Sequence, residues 1–538
     1  MRALLINPAP AHCYYSFPEA RRIAGKKCLG IPLGLITVAS LLPPDWQFRL
    51  VEAGVRPPTD DDWAWADIIL FSGNSLHRQS LLDLIRESRR RGKRVVAGGP
   101  YVTYAPEEVL AAGADLVARG EGEATVPLLL EALETGRRQA VLASPEKPAM
   151  SSSPVPRFDL LDLELYVYVQ VQASRGCPHD CEYCDIVARY GRAPRYKSPS
   201  QVTAELDALY RLGWRGHVFV ADDNFIGDRA SARSILCRLY EWQREHHEPF
   251  SFNTQATVAL GRDREMIDLF TRANFGDIFV GIETLDQDAL KLAGKSHTVT
   301  SSCGDWLDTM VKNGLSALLS FIIGFDGEKK GAGERICQFV EERAVPVVMI
   351  NTLWAIPDTR LWNRLRLEGR LHDRVPEGNE LVGGRCNFVP SRPEPEILDE
   401  FVRTWDRLYE PTTFVQRAYR YYLAMRPTRA ATARRTGQPD DTVIRTEGRS
   451  LKGAIHDLRK LMRLLGTMGV REGCRLSFWK SLFGLLRKNP SRVVQFLNAC
   501  GHGPDLFRIR EMLLLMKRPV GPSGSGQDDL RTPRPSAP

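Results

Sequence analysis

Short apolar runs that stop abruptly at Gly, Ser, Asn or Pro recur through the first two thirds of this chain, separated by stretches of helical length. Few architectures accept that rhythm, because parallel neighbours need crossover helices and the sheet is then covered on both faces. The first set comprises Arg2 to Asn7-Pro8, then 48–51, 68–71 followed by Ser72-Gly73-Asn74, 95–97 followed by Gly98-Gly99-Pro100, and 116–117 followed by Arg119-Gly120-Glu121. Helical stretches at 32–42 and 80–91 lie between them. This pattern predicts an α/β fold with a doubly wound parallel sheet over 1–142, whose ligands bind beyond the carboxyl ends of the strands. A Ser/Pro-rich connector follows at 143–162. The rhythm then resumes over 163–358, with strands expected at 167–173, 217–221, 250–254, 277–282, 317–323 and 347–351, and helices at 199–212, 229–246 and 264–273. From 359 to 520 helices dominate, and the Gly/Ser/Pro/Asp-rich 521–538 reads as a disordered tail.

At 538 residues, 43% hydrophobic and 26% charged, the chain is a multidomain globular protein. No start combines basic residues, an apolar segment and a small-residue cleavage site, and no apolar run approaches membrane-spanning length, so a cytoplasmic location is expected. The 11 cysteines are scattered except for one triplet, which suits a reducing compartment. The net charge of +8 is uneven: residues 411–538 hold 24 Lys/Arg against 9 Asp/Glu, a balance of +15, which leaves −7 for the rest. No recognised nucleic-acid motif accompanies those arginines, so a nucleic-acid partner is not expected. Apolar-basic segments such as 478–488 and 506–517 suit contact with an anionic bilayer instead.

The triplet lies in Ser174-Arg175-Gly176-Cys177-Pro178-His179-Asp180-Cys181-Glu182-Tyr183-Cys184. Iron–sulfur clusters are normally held by four thiolates, so three cysteines spaced CxxxCxxC leave one iron of a [4Fe–4S] cluster open to another ligand. The alternative is structural zinc, with His179 as a fourth ligand among N/S donors. With its Ser-Arg-Gly flank and Tyr183 between the last two cysteines, the run resembles the signature of the radical S-adenosylmethionine (SAM) superfamily. The resemblance implies a cluster on Cys177, Cys181 and Cys184, with the amino and carboxylate groups of SAM on the open iron. Reductive cleavage of SAM there would give a 5′-deoxyadenosyl radical. It also implies a partial (β/α)6 barrel over 163–358, with the cluster in the loop after its first strand. Tyr183, Asp222 of Ala221-Asp222-Asp223-Asn224-Phe225, Gln255, Glu283 of Gly281-Ile282-Glu283-Thr284 and Gly324 of Ile322-Ile323-Gly324-Phe325 are then the expected SAM contacts. Glu283 would accept bonds from ribose hydroxyls and Gly324 would make room for adenine. Asp222 also fits a helix N-cap, a purely structural role.

The first domain resembles the cobalamin-binding domain that precedes the barrel in one large branch of that superfamily. The positions carried over are Asn7, Pro8, Ser72, Asn74, Gly98, Gly99 and Glu121, where small residues at strand ends would admit a flat corrin ring. The Asp-x-His-x-x-Gly motif that places a histidine on cobalt is missing, and His77 is the nearby histidine. A flavodoxin-like domain without a ligand is the competing reading. A methylthiotransferase would need a second three-cysteine set here, and this region offers only Cys13 and Cys28. Cys386 reads as a small buried hydrophobe.

Together these features resemble cobalamin-dependent radical SAM methyltransferases, and the 387–409 stretch resembles the start of the helical extension of hopanoid C-methylases. The implied activity is methylation of an unactivated carbon of a small molecule or lipid, a hopanoid being the leading candidate. One SAM would methylate cobalamin, a second would generate the radical, and a flavodoxin- or ferredoxin-type donor would supply electrons. Relatives of this architecture in natural-product or tetrapyrrole biosynthesis supply the alternative of methylation elsewhere, or of rearrangement or cyclisation. A non-enzymatic cobalamin sensor is a remote one, and a membrane-peripheral location remains an expectation of the basic C-terminal part.

Overall fold

The computed structural model describes residues 1–11, 16–295, 298, 304–372, 385–437 and 451–516, with the side chains of 451–454 left aside. Cys13 and the expected tail at 521–538 lie outside the described residues.

Six strands build the first sheet: β1 (Arg2–Asn7), β2 (Gln47–Glu52), β3 (Ile68–Ser72), β4 (Arg94–Gly98), β5 (Leu116–Arg119) and β6 (Ala140–Ala143). Their order is β2-β1-β3-β4-β5-β6, every pair parallel. The order reverses between β1 and β3, which puts the crevice of a doubly wound sheet where Asn7-Pro8 and Ser72-Gly73-Asn74 fall. Two apolar layers, one with Ile6, Phe71 and Val95 and the other with Leu5, Leu70 and Val96, cover the two faces. The connector was expected to begin at 143, but Ala143 ends β6. The connector is also no free tether: Met150, Ser153 and Phe158 are buried, and Gln201 Nε2 donates to the carbonyls of Met150 and Ser151.

The second sheet holds β7 (Val169–Val171), β10 (His217–Val220), β11 (Ser251–Ala256), β12 (Phe275–Glu283), β13 (Ser316–Ile323) and β14 (Val348–Thr352), paired in chain order and all parallel. A two-stranded antiparallel piece, β8 (Ser174–Arg175) with β9 (Arg195–Tyr196), is inserted after β7. The first barrel strand is shorter than expected for a physical reason. At one end the Val167 N–H bonds to carbonyls of Cys28 and Leu29, and at the other the Ala173 and Ser174 N–H groups turn to a carboxylate. Helices Pro199–Arg211, Arg229–Glu245 and Arg264–Arg272 cover one face. The first of them starts with a capping box, Ser198 to Gln201, followed by Pro199, as its sequence dictates.

The C-terminal region is helical as expected, ending in Leu451–Gly466, Arg475–Lys488 and Val493–Met516. It closes onto both preceding domains. Tyr421 Oη accepts the Ala317 N–H at the base of β13, and Trp405 Nε1 donates to the Ile350 carbonyl. Asp505 accepts the N–H groups of Glu19 and Ala20, capping the early helix Pro18–Ala24. Cys386 is buried beside Phe325 and Phe388.

Candidate active site

The three clustered cysteines sit on a loop between β8 and the short helix Ile186–Tyr190. Gly176 starts the loop at φ +93°, where a Cβ would approach the carbonyls of Gly191 and Ala193 to 3.1 Å, so glycine is required twice over. The loop is anchored on both sides of the barrel mouth: Glu182 N–H bonds to the Ala293 carbonyl, and the Leu361 N–H bonds to that of Glu182. All three thiols are free and accessible, and they lie close enough to influence one another's ionisation. Burial pushes each thiol up, that of Cys184 to about 12, so thiolates here need a cationic partner. Asn224 Nδ2 stands 3.8 Å from Cys177 Sγ as a donor to that sulfur, while its own Oδ1 is buried without a partner. Three thiols outside any disulfide, close enough to sense one another and each offered a hydrogen-bond donor, fit a cubane cluster. Among the described residues no three His, Cys, Asp or Glu side chains are drawn up around a single ion, these cysteines included.

The expected SAM contacts divide. Tyr183, Glu283 and Gly324 come together over the cysteines: Tyr183 packs edge-on against Phe325 at 5.4 Å, and Lys295 Nζ lies 6.0 Å from its ring centre and 2.7 Å from Glu283 Oε1. Glu283 holds φ +72° at the end of β12, a conformation unusual outside glycine and common at functional strand ends. Gly324 has φ +106°, and its N–H donates to Glu328 Oε2 at 2.7 Å. Gln255 is half-buried one residue before the end of β11. Asp222 does not face this space. Its Oδ1 accepts the N–H groups of Ala173 (2.8 Å) and Ser174 (3.0 Å), and its Oδ2 accepts the Ser174 hydroxyl (2.6 Å). Complete burial raises its pKa to about 7. The SAM contact expected there is corrected to a positioning role: this carboxylate shapes the entry to the cysteine loop, and Asp223 continues it by accepting the Gly176 N–H.

In the first domain, Asn7, Pro8, Ser72, Asn74, Gly98 and Gly99 all lie at the carboxyl edge of the sheet, as expected. Gly99, at φ +96°, packs so tightly that a Cβ would sit 2.5 Å from Ser72 Oγ. Asn7 Nδ2 donates to Glu52 Oε2, and Tyr166 Oη to Glu52 Oε1, tying this edge to the strand entering the barrel. His77 Nδ1 is 2.8 Å from Asn74 Oδ1, and burial lowers the imidazole to about 4, so it stays neutral. A cleft of about 490 Å³ opens between this edge, at Tyr104, Gly120 and Lys147, and the helix after the cysteines, at Asp185 and Arg189. Its lining also takes in Thr103, Arg119 and Ser144, and Gly120, at φ +112° with open space where a Cβ would sit, leaves room there for a flat ring.

Glu121 is the second correction. Its carboxylate is buried between two guanidinium groups, Arg175 Nη1 to Oε2 and Arg195 Nη2 to Oε1, both at 2.7 Å. Arg175 also forks onto Glu123 at 2.8 and 3.0 Å, and its Nε donates to Gln172 Oε1. Both oxygens of Glu121 are thus taken up by guanidinium groups of the barrel, and the network clamps the first domain to the residue two before Cys177. Arg175 and Glu123 were visible within the quoted motifs, but no local signal pairs residues fifty apart. Lys295 and Glu328 were likewise missed, because nothing in the sequence joins them to Glu283 and Gly324.

Comparison with known proteins settles the family. Residues 30–130 match the B12 binding domain, 171–340 the Radical SAM superfamily, and 359–516 a domain of unknown function. The chain is 41% identical over 513 residues to an uncharacterized methyltransferase of Synechocystis, covering 95% of this chain and 92% of that one. It is 34% identical to the hopanoid C-2 methylase of Rhodopseudomonas palustris, covering 84% and 82%. The chain belongs to the cobalamin-dependent radical SAM methyltransferases. Its fold matches the solved cobalamin-dependent SAM radical enzyme OxsB with a TM-score of 0.57 at 16% identity, over 96% of this chain and 80% of the other. The protein is an enzyme of this family, using a [4Fe–4S] cluster, SAM and cobalamin.

Proposed function

We propose that the enzyme methylates an unactivated carbon of a polycyclic triterpenoid of the hopanoid type, reached at a membrane surface. The observation that carries the substrate class is the 34% identity with the hopanoid C-2 methylase over 84% of this chain. When bound, the cofactors supply a carbon-centred radical and a transferable methyl group. The chain's own residues do the rest. Cys177, Cys181 and Cys184 would hold the cluster, and Asn224 would donate a hydrogen bond to one ligating sulfur. Tyr183 and Gly324 would flank adenine, Glu283 would hold the ribose, and Gln255 would face the substrate. Asn7, Pro8, Ser72, Asn74, Gly98 and Gly99 would line the corrin, with the clamp of Arg175 on Glu121 and Glu123 setting its distance from the cysteine loop. Closure between the domains 1–142 and 163–358 would exclude water from the radical. A low-potential flavodoxin- or ferredoxin-type protein would deliver electrons.

Membrane contact is supported by the surface of the extension. On helix Leu451–Gly466, Ile455, Leu458 and Met462 are exposed beside Arg459 and Arg463; on Arg475–Lys488, Leu476 and Phe483 are exposed beside Lys480 and Arg487. Apolar side chains interleaved with cations suit an interfacial helix on anionic lipid. No helix among the described residues is long and apolar enough to cross a membrane. The test is transfer of labelled methyl from SAM to triterpenoids presented in vesicles by the reduced holoenzyme. Label is expected in the triterpenoid, about tenfold faster from anionic than from zwitterionic vesicles, as cations near the surface each add about 1 kcal/mol. Label in a tetrapyrrole instead, or equal rates from both vesicles, would contradict the substrate or the membrane contact respectively.

A further inference from the structure

Asp180, the residue before Cys181, brings the cysteine loop to the surface. Its carboxylate lies 2.7 Å from Arg360 Nη1 and 3.9 Å from Arg192 Nη1, both on exposed side chains. Its carbonyl accepts from the same Arg360 nitrogen, and a Cβ on Gly294 would come within 2.6 Å of it. Arg360 opens helix Arg360–Leu367, and Gly294 lies two residues past helix Gln287–Leu292. Two helices therefore abut the loop one residue from an expected cluster ligand, about 3.8 Å along the backbone. The cleft facing the first domain is lined by the other end of the loop, at Asp185 and Arg189.

The same two helices flank the turn Asp326-Gly327. Arg364 Nη1 and Arg370 Nη2 hold Asp326 at 2.9 and 2.8 Å, and a Cβ on Gly327 would come within 2.5 Å of Leu292 Cδ1. The last residues of the helices, Leu292 and Leu367, are exposed, and so is Val389, whose N–H bonds to the Arg370 carbonyl. Charge on this face is layered. Glu182 and Asp326 are only 11% and 17% exposed under Arg364, whereas Arg192, Lys291 and Arg360 are 61–64% exposed. The outward acids are covered as well: Asp288 lies 3.0 Å from Lys329 and 4.0 Å from Lys291, and Glu368 lies 3.1 Å from Arg364 and 2.8 Å from Arg370. With the exposed Arg366, seven cations stand against five acids on this face, although the first 410 residues together carry −7.

Resting on the reading that a low-potential protein supplies electrons, we propose that this face is the docking site of an acidic one-electron carrier, with Leu292 at the centre of the contact and the exposed arginines and lysines around it. In that step one electron leaves the reduced carrier and arrives at the cluster held by the three cysteines. The carrier is oxidised by one electron, and no bond forms or breaks. Outward cations raise the rate at which an acidic partner arrives and fix its orientation. An apolar centre inside a polar rim is the anatomy of a protein interface, and electron-transfer complexes occupy the small end of the range. Three aliphatic side chains at helix ends and on a loop do not make the continuous apolar stripe of a membrane-surface helix, which favours a protein over a bilayer.

The test is formation of 5′-deoxyadenosine by the holoenzyme, reduced either by increasing concentrations of reduced flavodoxin or by titanium(III) citrate. Arg192→Glu combined with Lys291→Glu is expected to raise the flavodoxin concentration at half-maximal rate at least about tenfold, the lower end of electrostatic steering effects, and to leave the rate with titanium citrate unchanged. Leu292→Ser, which alters no charge, is expected to raise the same concentration without changing its dependence on salt. An unchanged half-saturating concentration in the charge-reversed enzyme would overturn the docking face and leave the carrier reading intact. A wild-type enzyme that turns over with titanium citrate and not with flavodoxin would overturn both. Equal losses with the two reductants would show a structural effect on the loop and overturn the face. Weaker binding of the variants to anionic vesicles with unchanged flavodoxin kinetics would make the face a membrane contact and overturn it too.

Discussion

Cys181→Ala is expected to fold normally, to lose the visible absorption and most of the iron of the reconstituted protein, and to make no detectable 5′-deoxyadenosine. The loss should be at least about a thousandfold, because two thiolates cannot hold a site-differentiated cluster and nothing else at the loop substitutes. The fold should survive because the loop's framework is independent of the cysteines: Asp222 holds its entry, and Glu182 ties its far side to Ala293 and Leu361. Cys177→Ala and Cys184→Ala should behave alike. An unchanged far-ultraviolet circular dichroism spectrum with lost iron is the expected pair of readings. Wild-type iron content in any of the three would place the cluster elsewhere.

The second large effect is expected at Arg175. Its guanidinium bridges two carboxylates of the first domain, and all three side chains are at least nine-tenths buried. Breaking a buried pair by removing one partner costs about 3–5 kcal/mol, because a charge is left without compensation. Arg195 still neutralises Glu121, so the stranded group is Glu123, and the lower end of that range applies. Arg175→Ala should therefore loosen the seating of the corrin domain on the barrel more than it unfolds either. The distinctive reading is uncoupling: 5′-deoxyadenosine formed per methylated product should rise at least about tenfold. Arg175→Lys keeps the charge but not the two-pronged geometry and should fall between. Unchanged coupling in Arg175→Ala would show that the clamp does not position the two halves.

Much of the molecule was legible in its sequence because local signals coincide there with tertiary roles. The strands of both sheets are apolar runs closed by turn residues, and their ends carry the glycines, serines and asparagines read as site residues. Cys177, Cys181 and Cys184 lie within eight residues of one another, so their cooperation needs no knowledge of the fold. Asp222 and Glu121 were misread for a common reason. Each is a carboxylate at a strand end, where sequence cannot distinguish a group facing ligand from one facing protein. Asp222 meets backbone N–H groups two strands of sequence away, and Glu121 meets Arg175 and Arg195 from another domain. The docking face was invisible for the same reason: Arg192, Lys291 and Arg360 are separated by up to 168 positions and share no motif.

The central claim is that radical generation at the cysteine loop is coupled to methyl transfer from the first domain. Single-turnover-calibrated product analysis with methyl-labelled SAM measures this directly in the reduced holoenzyme. The expected result is one labelled methyl on carbon, one 5′-deoxyadenosine and one S-adenosylhomocysteine per product, two SAM molecules consumed in all. Continued 5′-deoxyadenosine formation with an altered substrate that carries no label would contradict it and make the enzyme a catalyst of rearrangement or cyclisation.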